Sequence, residues 1–402
     1  MGELTSQERA CVEAASAAPL LMQVEAWSAI NSGSRNLDGL KVVAERLTEA
    51  FAALPGELRL VDPSPVEAID AAGKPYEVAH GRNLHVKVRP DAPVQLLLTG
   101  HMDTVFAQDH PFQALHWIEP GKLLNGPGVA DMKGGIAVML AALKAVEASQ
   151  AASVLGYEIV INSDEEVGSL GSAALIAAAA RGKRAALTYE PSALPDGTLA
   201  GARPGSGNFA ITIHGRSAHA GRNPEEGRNA VLAAADLAIR LKAAVGPGLK
   251  VNPARIDGGS PNNVVPDLAV LRVNLRPETL DDQARAQALI DSSVAAVAAE
   301  HEVQMHVHGH FARPPKPMTP ETEALFNLVR LAGADLGQPI GWKSTGGVCD
   351  GNNIAACGVP VIDTMGVRGG SIHSMEEYLI VDSLAERAAL SALTILRLAE
   401  GA

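Results

Sequence analysis

Three short apolar runs, VQLLLTG (94–100), YEIVIN (157–162) and RAALTYE (184–190), end where an apolar core should not end. The first runs into HMDT, the second into SDEE, and the third closes on Glu190. Helical patterns lie between them. IAVMLAALKAVEA (136–148) has few polar positions, and LGSAALIAAAA (170–180) is almost wholly apolar. Strands apolar on both faces, alternating with helices, predict an α/β domain with a mainly parallel sheet covered on both sides. Ligands in such sheets bind beyond the carboxyl ends of the strands, which is where these carboxylates and His101 fall.

The texture changes near residue 204. GSGNFAITIHGRSAHAG (205–221) and LAVLRVNLRPE (268–278) alternate apolar and polar residues, as half-exposed strands do. Helical patterns at 229–244 and 281–300 and the strand EVQMHVHGH (302–310) complete a β-α-β-α-β order. The Pro-rich stretch ARPPKPMTP (312–320) reads as a return linker. The expected organisation is a catalytic domain, 1–204 and 318–402, interrupted by an α+β domain, 205–317, with a small ferredoxin-like sheet and two helices. Its three alternating histidines, His306, His308 and His310, read as a solvated sheet face, since no carboxylate or cysteine lies among them.

A chain of 402 residues exceeds one ordinary domain, and 47% hydrophobic residues suffice for sizeable cores. The formal net charge of -12 comes with no Lys/Arg cluster, which argues against nucleic-acid binding. Three scattered cysteines, Cys11, Cys349 and Cys357, form no disulfide framework. The first residues lack the basic start of a signal peptide, and no uncharged apolar run reaches the ~18 residues of a membrane span. A cytoplasmic protein is expected, with no membrane partner.

His101 and Asp103 lie two apart and point the same way in an extended chain. A metal-bound histidine commonly donates its other N–H to a carboxylate, although a salt bridge at a strand end explains the pair equally well. Asp131, in GPGVADMKGG, follows a glycine-rich turn and alone would be read as a helix cap. Gly134 and Gly135 suggest close backbone packing. Glu165 and Glu166 repel one another at the end of a buried strand unless a cation lies there. One would then ligate it, and the other would take a proton from the water it acidifies. His373 follows glycines in GGSIHSMEEYL. Two histidines and several carboxylates without cysteine suit zinc or another hydrolytic divalent ion, and five ligands with one bridging carboxylate suit a pair.

The stretches GHMDTV, NGPGVADMKGG, INSDEEVGSLGS, YEPS, SAHAG, NNVVPD and SIHSMEEY occur in order between residues 100 and 378. With them the chain resembles the di-zinc amidohydrolases and exopeptidases that include glutamate carboxypeptidase, acetylornithine deacetylase and succinyl-diaminopimelate desuccinylase. DEE-x-GS-x-GS, YEPS and SAHAG draw it toward the glutamate carboxypeptidase type.

The resemblance implies two zinc ions per chain, with cobalt or manganese as possible substitutes. Asp131 would bridge them, His101 and Glu190 would complete one site, and Glu166 and His373 the other. Glu165 would be the general base and Asp103 the orienter of His101. The peptide bond after Asp131 is cis in that family. The inserted domain would be a lid through which two chains dimerise. His219 would stabilise the tetrahedral intermediate, Asn263 and Arg276 would line the cleft, and Arg313 would hold the substrate's carboxylate. The implied activity is hydrolysis of N-acyl amino acids or C-terminal peptide bonds. Alternatives are a deacylase of the acetylornithine or desuccinylase type, a dipeptidase, or a dimeric binding protein on a retired scaffold. The chain departs from the glutamate carboxypeptidase type at STGGVCDGNN. Cys349 stands where a threonine is expected, and it reads as a packing residue rather than a nucleophile.

Overall fold

The computed structural model describes residues 3–401. The principal sheet has six strands: Glu57–Val61, Asn83–Val88, Leu155–Asn162, Val94–His101, Ala185–Thr188 and Val361–Ile362, in that spatial order. The first two pairings are antiparallel and the remaining three parallel. The sheet is therefore mixed and mainly parallel, as the alternating pattern predicts. Leu155–Asn162 is buried along its whole length, and only the first two residues of Val94–His101 are half-exposed. Helices Gly134–Glu147 and Asp382–Glu400 are buried over most of their surfaces and share one large apolar core. A smaller apolar cluster, with Leu97, Val160 and Ile176, covers the opposite face.

The glycines of MKGG have a packing reason. A Cβ on Gly135 would lie 1.9 Å from the Tyr189 carbonyl oxygen, and one on Gly134 2.5 Å from that of Val129. The helix Gly134–Glu147 can approach the sheet this closely only without side chains there. That approach brings Asp131 beside the end of the strand that leads to Glu190.

The second sheet holds Leu249–Gly258, Leu268–Pro277, Ser206–His214 and Gln304–Arg313, all antiparallel. Helices Ala230–Ala243 and Leu280–Glu300 pack with it around a separate apolar core. The β-α-β-α-β pattern omits one strand, Leu249–Gly258. It is an edge strand interrupted by Pro253, where the register shifts. Proline is tolerated at edges and bulges, and it hides a strand from pattern reading. The chain enters this unit beside Arg203 and leaves it beside Lys316. These two residues exchange backbone hydrogen bonds, and both pair with the buried Asp363. A hairpin of the first unit, Glu67–Ile69 and Pro75–Glu77, reaches the second sheet: Arg272 donates to the Ile69 carbonyl. His308 Nε2 lies 3.0 Å from the Glu67 oxygen, while His306 and His310 are exposed.

Candidate active site

The polar strand ends converge. His101 ends Val94–His101, Glu165 and Glu166 open the turn after Leu155–Asn162, and Glu190 follows Ala185–Thr188. Asp131 enters from the loop before the helix Gly134–Glu147, and its peptide bond to Met132 is cis. His373 comes from a C-terminal loop, in the left-handed region at φ 62°.

Asp131 lies between the two imidazoles. Its Oδ1 is 3.1 Å from His101 Nε2, and its Oδ2 is 3.2 Å from His373 Nε2. His101 Nε2 also lies 3.6 Å from Glu190, and His373 Nε2 lies 3.1 Å from Glu166. Two groupings have donor atoms close enough to hold an ion: His101, Glu165 and Glu190, and His101, Asp131 and Glu166.

Asp103 sits behind the cluster. Its carboxylate is 3.4 Å from His101 Nδ1 and accepts the backbone N–H groups of Glu165 and Glu166 and the Ser34 hydroxyl. His101 Nδ1 lies closer still, 3.0 Å, to the Asp103 backbone carbonyl, so one residue orients the imidazole while its carboxylate holds the turn that carries the paired glutamates.

The electrostatics are those of a cation site. Burial pushes Glu190 up to about 7, opposed by His101. It also drives Glu165 well above the ordinary carboxylate range against the pull of Arg313, and raises Glu166, with the Asp131 charge adding to the effect. Burial works against charge on His101, but Glu190, Asp103 and Asp131 together outweigh it and raise its pKa well above normal. Hydrogen bonds to Asp131 and Glu166 raise His373 to about 11. Carboxylates crowded at this density and kept from water need positive charge between them. The donor set, imidazole and carboxylate without thiolate, fits a pair of hard or borderline divalent ions.

Glu377 was not singled out from the sequence, although it lies within SIHSMEEY. Its buried carboxylate accepts the N–H groups of Gly128, Ala130 and Asp131, so it holds the loop that presents Asp131. Asp350 is also buried, and it accepts from Asn162 and Ser169 beneath the Glu165 turn.

Arg313 is buried against Glu165, with Nη2 2.7 Å from Oε1, and it also donates to Ser169 Oγ. Arg276 lines the same cleft. The cleft has a volume of about 1050 Å³, and Asn208, Asn252 and Asn274 of the second sheet form part of its wall opposite the cluster. Cys349 also lines it, with a thiol that burial pushes far up, which fits packing rather than nucleophilic chemistry. His219 and Asn263 are not brought to the cluster. They lie together on an exposed corner of the second unit, where the Ala220 N–H donates to the Asn263 carbonyl and His219 pairs with Val264.

An α/β sheet with a buried His/carboxylate cluster at its carboxyl edge, facing a second sheet across a cleft, defines a two-domain metallohydrolase. The chain matches Peptidase family M20/M25/M40 over residues 97–397, and it belongs to that family. It is 29% identical to carboxypeptidase G2 of Pseudomonas sp. (strain RS-16), over 80% of this chain and 78% of that one. It is 31% identical to a succinyl-diaminopimelate desuccinylase of Methylobacterium sp. (strain 4-46), over 77% and 81%. In fold it is similar to a tripeptidase from Staphylococcus aureus, with a TM-score of 0.70, 24% identity and 95% and 98% of the two chains covered. No helix among the described residues is long and apolar enough to cross a membrane.

Proposed function

We propose that this metallohydrolase cleaves the amide bond of N-acyl amino acids or the C-terminal peptide bond of short peptides, in the manner of a glutamate carboxypeptidase. The observation that carries this reading is Asp131, placed between His101 and His373 with Glu165 at the edge of the cluster.

His101, Asp131 and Glu190 would hold one zinc ion, and Glu166, His373 and Asp131 the second. Bound there, the pair supplies positive charge that polarises the scissile carbonyl and acidifies water. Glu165 takes the proton of the attacking water and hands it to the leaving amine. Asp103 keeps His101 oriented.

Arg276 and Arg313 serve the carboxylate of the substrate. An arriving carboxylate competes with Glu165 for Arg313, which frees the base as the substrate docks. His219 and Asn263 lie outside the cleft of their own chain, which supports a homodimer through residues 205–317 in which the lid of one chain completes the site of the other, or a lid movement that brings them in. His219 would then stabilise the oxyanion.

The test is amine release from N-acyl amino acids by zinc-loaded protein beside a chelated control. The panel contains acyl-glutamate, acyl-aspartate, acetylornithine, succinyl-diaminopimelate and neutral acyl-amino acids. Chelator-sensitive release is expected, with acyl-glutamate among the better substrates. Silence across the panel with two metal ions bound per chain would reject the substrate class.

A further inference from the structure

The stretch STGGVCDGNN, where the chain departs from the glutamate carboxypeptidase type, runs into the short helix Asp350–Ala356. Asn352 in that helix is fully buried. Its Nδ2 donates to the Pro204 carbonyl at 2.9 Å and to the Pro314 carbonyl at 2.8 Å. One amide thus holds the chain as it enters the second unit and as it returns. Its Oδ1 accepts the Cys349 N–H, so a flipped amide would lose all three contacts. Asn353 Nδ2 donates to the Ala312 carbonyl at 2.9 Å. The two asparagines therefore grip the backbone on either side of Arg313. Gly351 lets the helix come this close: a Cβ there would lie 2.6 Å from Asp363 Oδ2, on the carboxylate that holds Arg203 and Lys316.

The Arg313 side chain is held on the same ground. Nη1 donates to the Val348 carbonyl, and Nη2 donates to the Glu165 carbonyl and Ser169 Oγ. Asp350 lies 3.6 Å from the guanidinium and accepts from Ser169. A long side chain reaches a fixed point only when its backbone is fixed first. Here the carbonyls before and after Arg313 are both tied to one helix of the first unit. Asn352 and Asn353 themselves stand outside the cleft lining.

We propose that Asn352 and Asn353 are positioning residues for the hydrolysis: they fix the backbone of Arg313 so that its guanidinium stands beside Glu165, where the substrate's carboxylate must meet it. The inference rests on the function proposed above, in which Arg313 receives that carboxylate, and extends it to two residues that act only through Arg313.

The test is a double-mutant cycle on kcat/KM, with metal-loaded protein and an N-acyl amino acid beside its α-carboxamide. Asn353 is half-buried, so Asn353→Ala is the milder change, and Asn352→Ser is the second variant. Each should lower kcat/KM for the acid about tenfold and for the carboxamide less than about twofold, whereas a damaged fold lowers both together. In an Arg313→Met background neither should cost more than about a further twofold. Unchanged kcat/KM in Asn353→Ala, equal losses on the two substrates, or losses that add to those of Arg313→Met overturn the proposal. A wild type that hydrolyses neither substrate, or both equally, counts against the function proposed above instead. The crystal structure of Asn353→Ala then decides the positioning role alone: an Arg313 displaced from Glu165 and Ser169 supports it, and an unmoved one rejects it.

Discussion

The guanidinium of Arg313 lies 2.7 Å from Oε1 of Glu165, and both groups are buried. This joins the residue expected to move the proton to a residue on the last strand of the second sheet, so the expected base and the second unit are not independent. Glu165→Gln is expected to keep both metal ions and lose about a thousandfold in kcat, since it removes a general base. Arg313→Met should lower kcat/KM about a hundredfold while the fold persists. Metal analysis beside steady-state kinetics checks both. Near-wild-type turnover of metal-loaded Glu165→Gln would refute the base assignment.

Asp103 makes a second prediction. Its carboxylate accepts from Ser34 and from two backbone N–H groups while facing His101. An asparagine has one carbonyl oxygen for these donors and turns an amide toward one of them. Asp103→Asn should weaken metal binding about tenfold to a hundredfold, the usual cost of losing an orienting partner. Competition with a chromogenic chelator measures this directly. Unchanged affinity would mean that the turn holds itself without Asp103.

The His/carboxylate cluster was legible because several of its members stand at the ends of apolar strands, where a charge is anomalous. His101, Glu165, Glu166 and Glu190 stand out against VQLLLTG, YEIVIN and RAALTYE in this way. Glu377 is just as buried, but it sits in a polar loop, and its partners are backbone N–H groups almost 250 positions earlier. Nothing local distinguishes it from a solvated acid. The pairing of Arg203 and Lys316 with Asp363 is hidden for the same reason, because fold topology alone brings the three together. The strand Leu249–Gly258 escaped because Pro253 breaks its pattern. The opposite wall of the cleft escaped as well: Asn208, Asn252 and Asn274 are register partners on neighbouring strands, and register cannot be read from one strand.

A third prediction concerns pH and lies away from the cluster. Glu158 meets His85 at 2.7 Å and Lys183 at 2.9 Å. Burial alone would raise its pKa, but hydrogen bonds to His85 and Lys183, with their accompanying charge, hold it down to about 2. Because the folded pKa lies below the unfolded one, the unfolded chain binds the proton more readily at low pH. The stabilisation is therefore complete above about pH 4.5 and is lost as pH falls toward 2. Allowing for solvent screening, it amounts to about 2 kcal/mol. Urea unfolding at pH 6 and pH 3 should show a drop that Glu158→Gln diminishes. An identical drop in the variant would assign it to other carboxylates.

The last prediction tests whether the close approach of helix and sheet builds the site. A Cβ on Gly135 would fall 1.9 Å from the Tyr189 carbonyl oxygen and 3.0 Å from its carbonyl carbon. Both contacts are with backbone, so no side-chain rotation relieves them. Gly135→Ala must push the helix Gly134–Glu147 away from the strand that leads into Glu190, and overpacking of this kind costs about 3 kcal/mol. The displacement also separates Asp131, just before the helix, from Glu190, just after Tyr189. Metal affinity should therefore fall along with stability. Gly246→Ala is the control: a Cβ there meets nothing within 4 Å, and its Tm should hardly change. Thermal unfolding with and without zinc separates the two effects. If Gly135→Ala unfolds earlier but keeps its zinc-induced rise in Tm, the packing contact supports the fold without setting the spacing of the metal ligands.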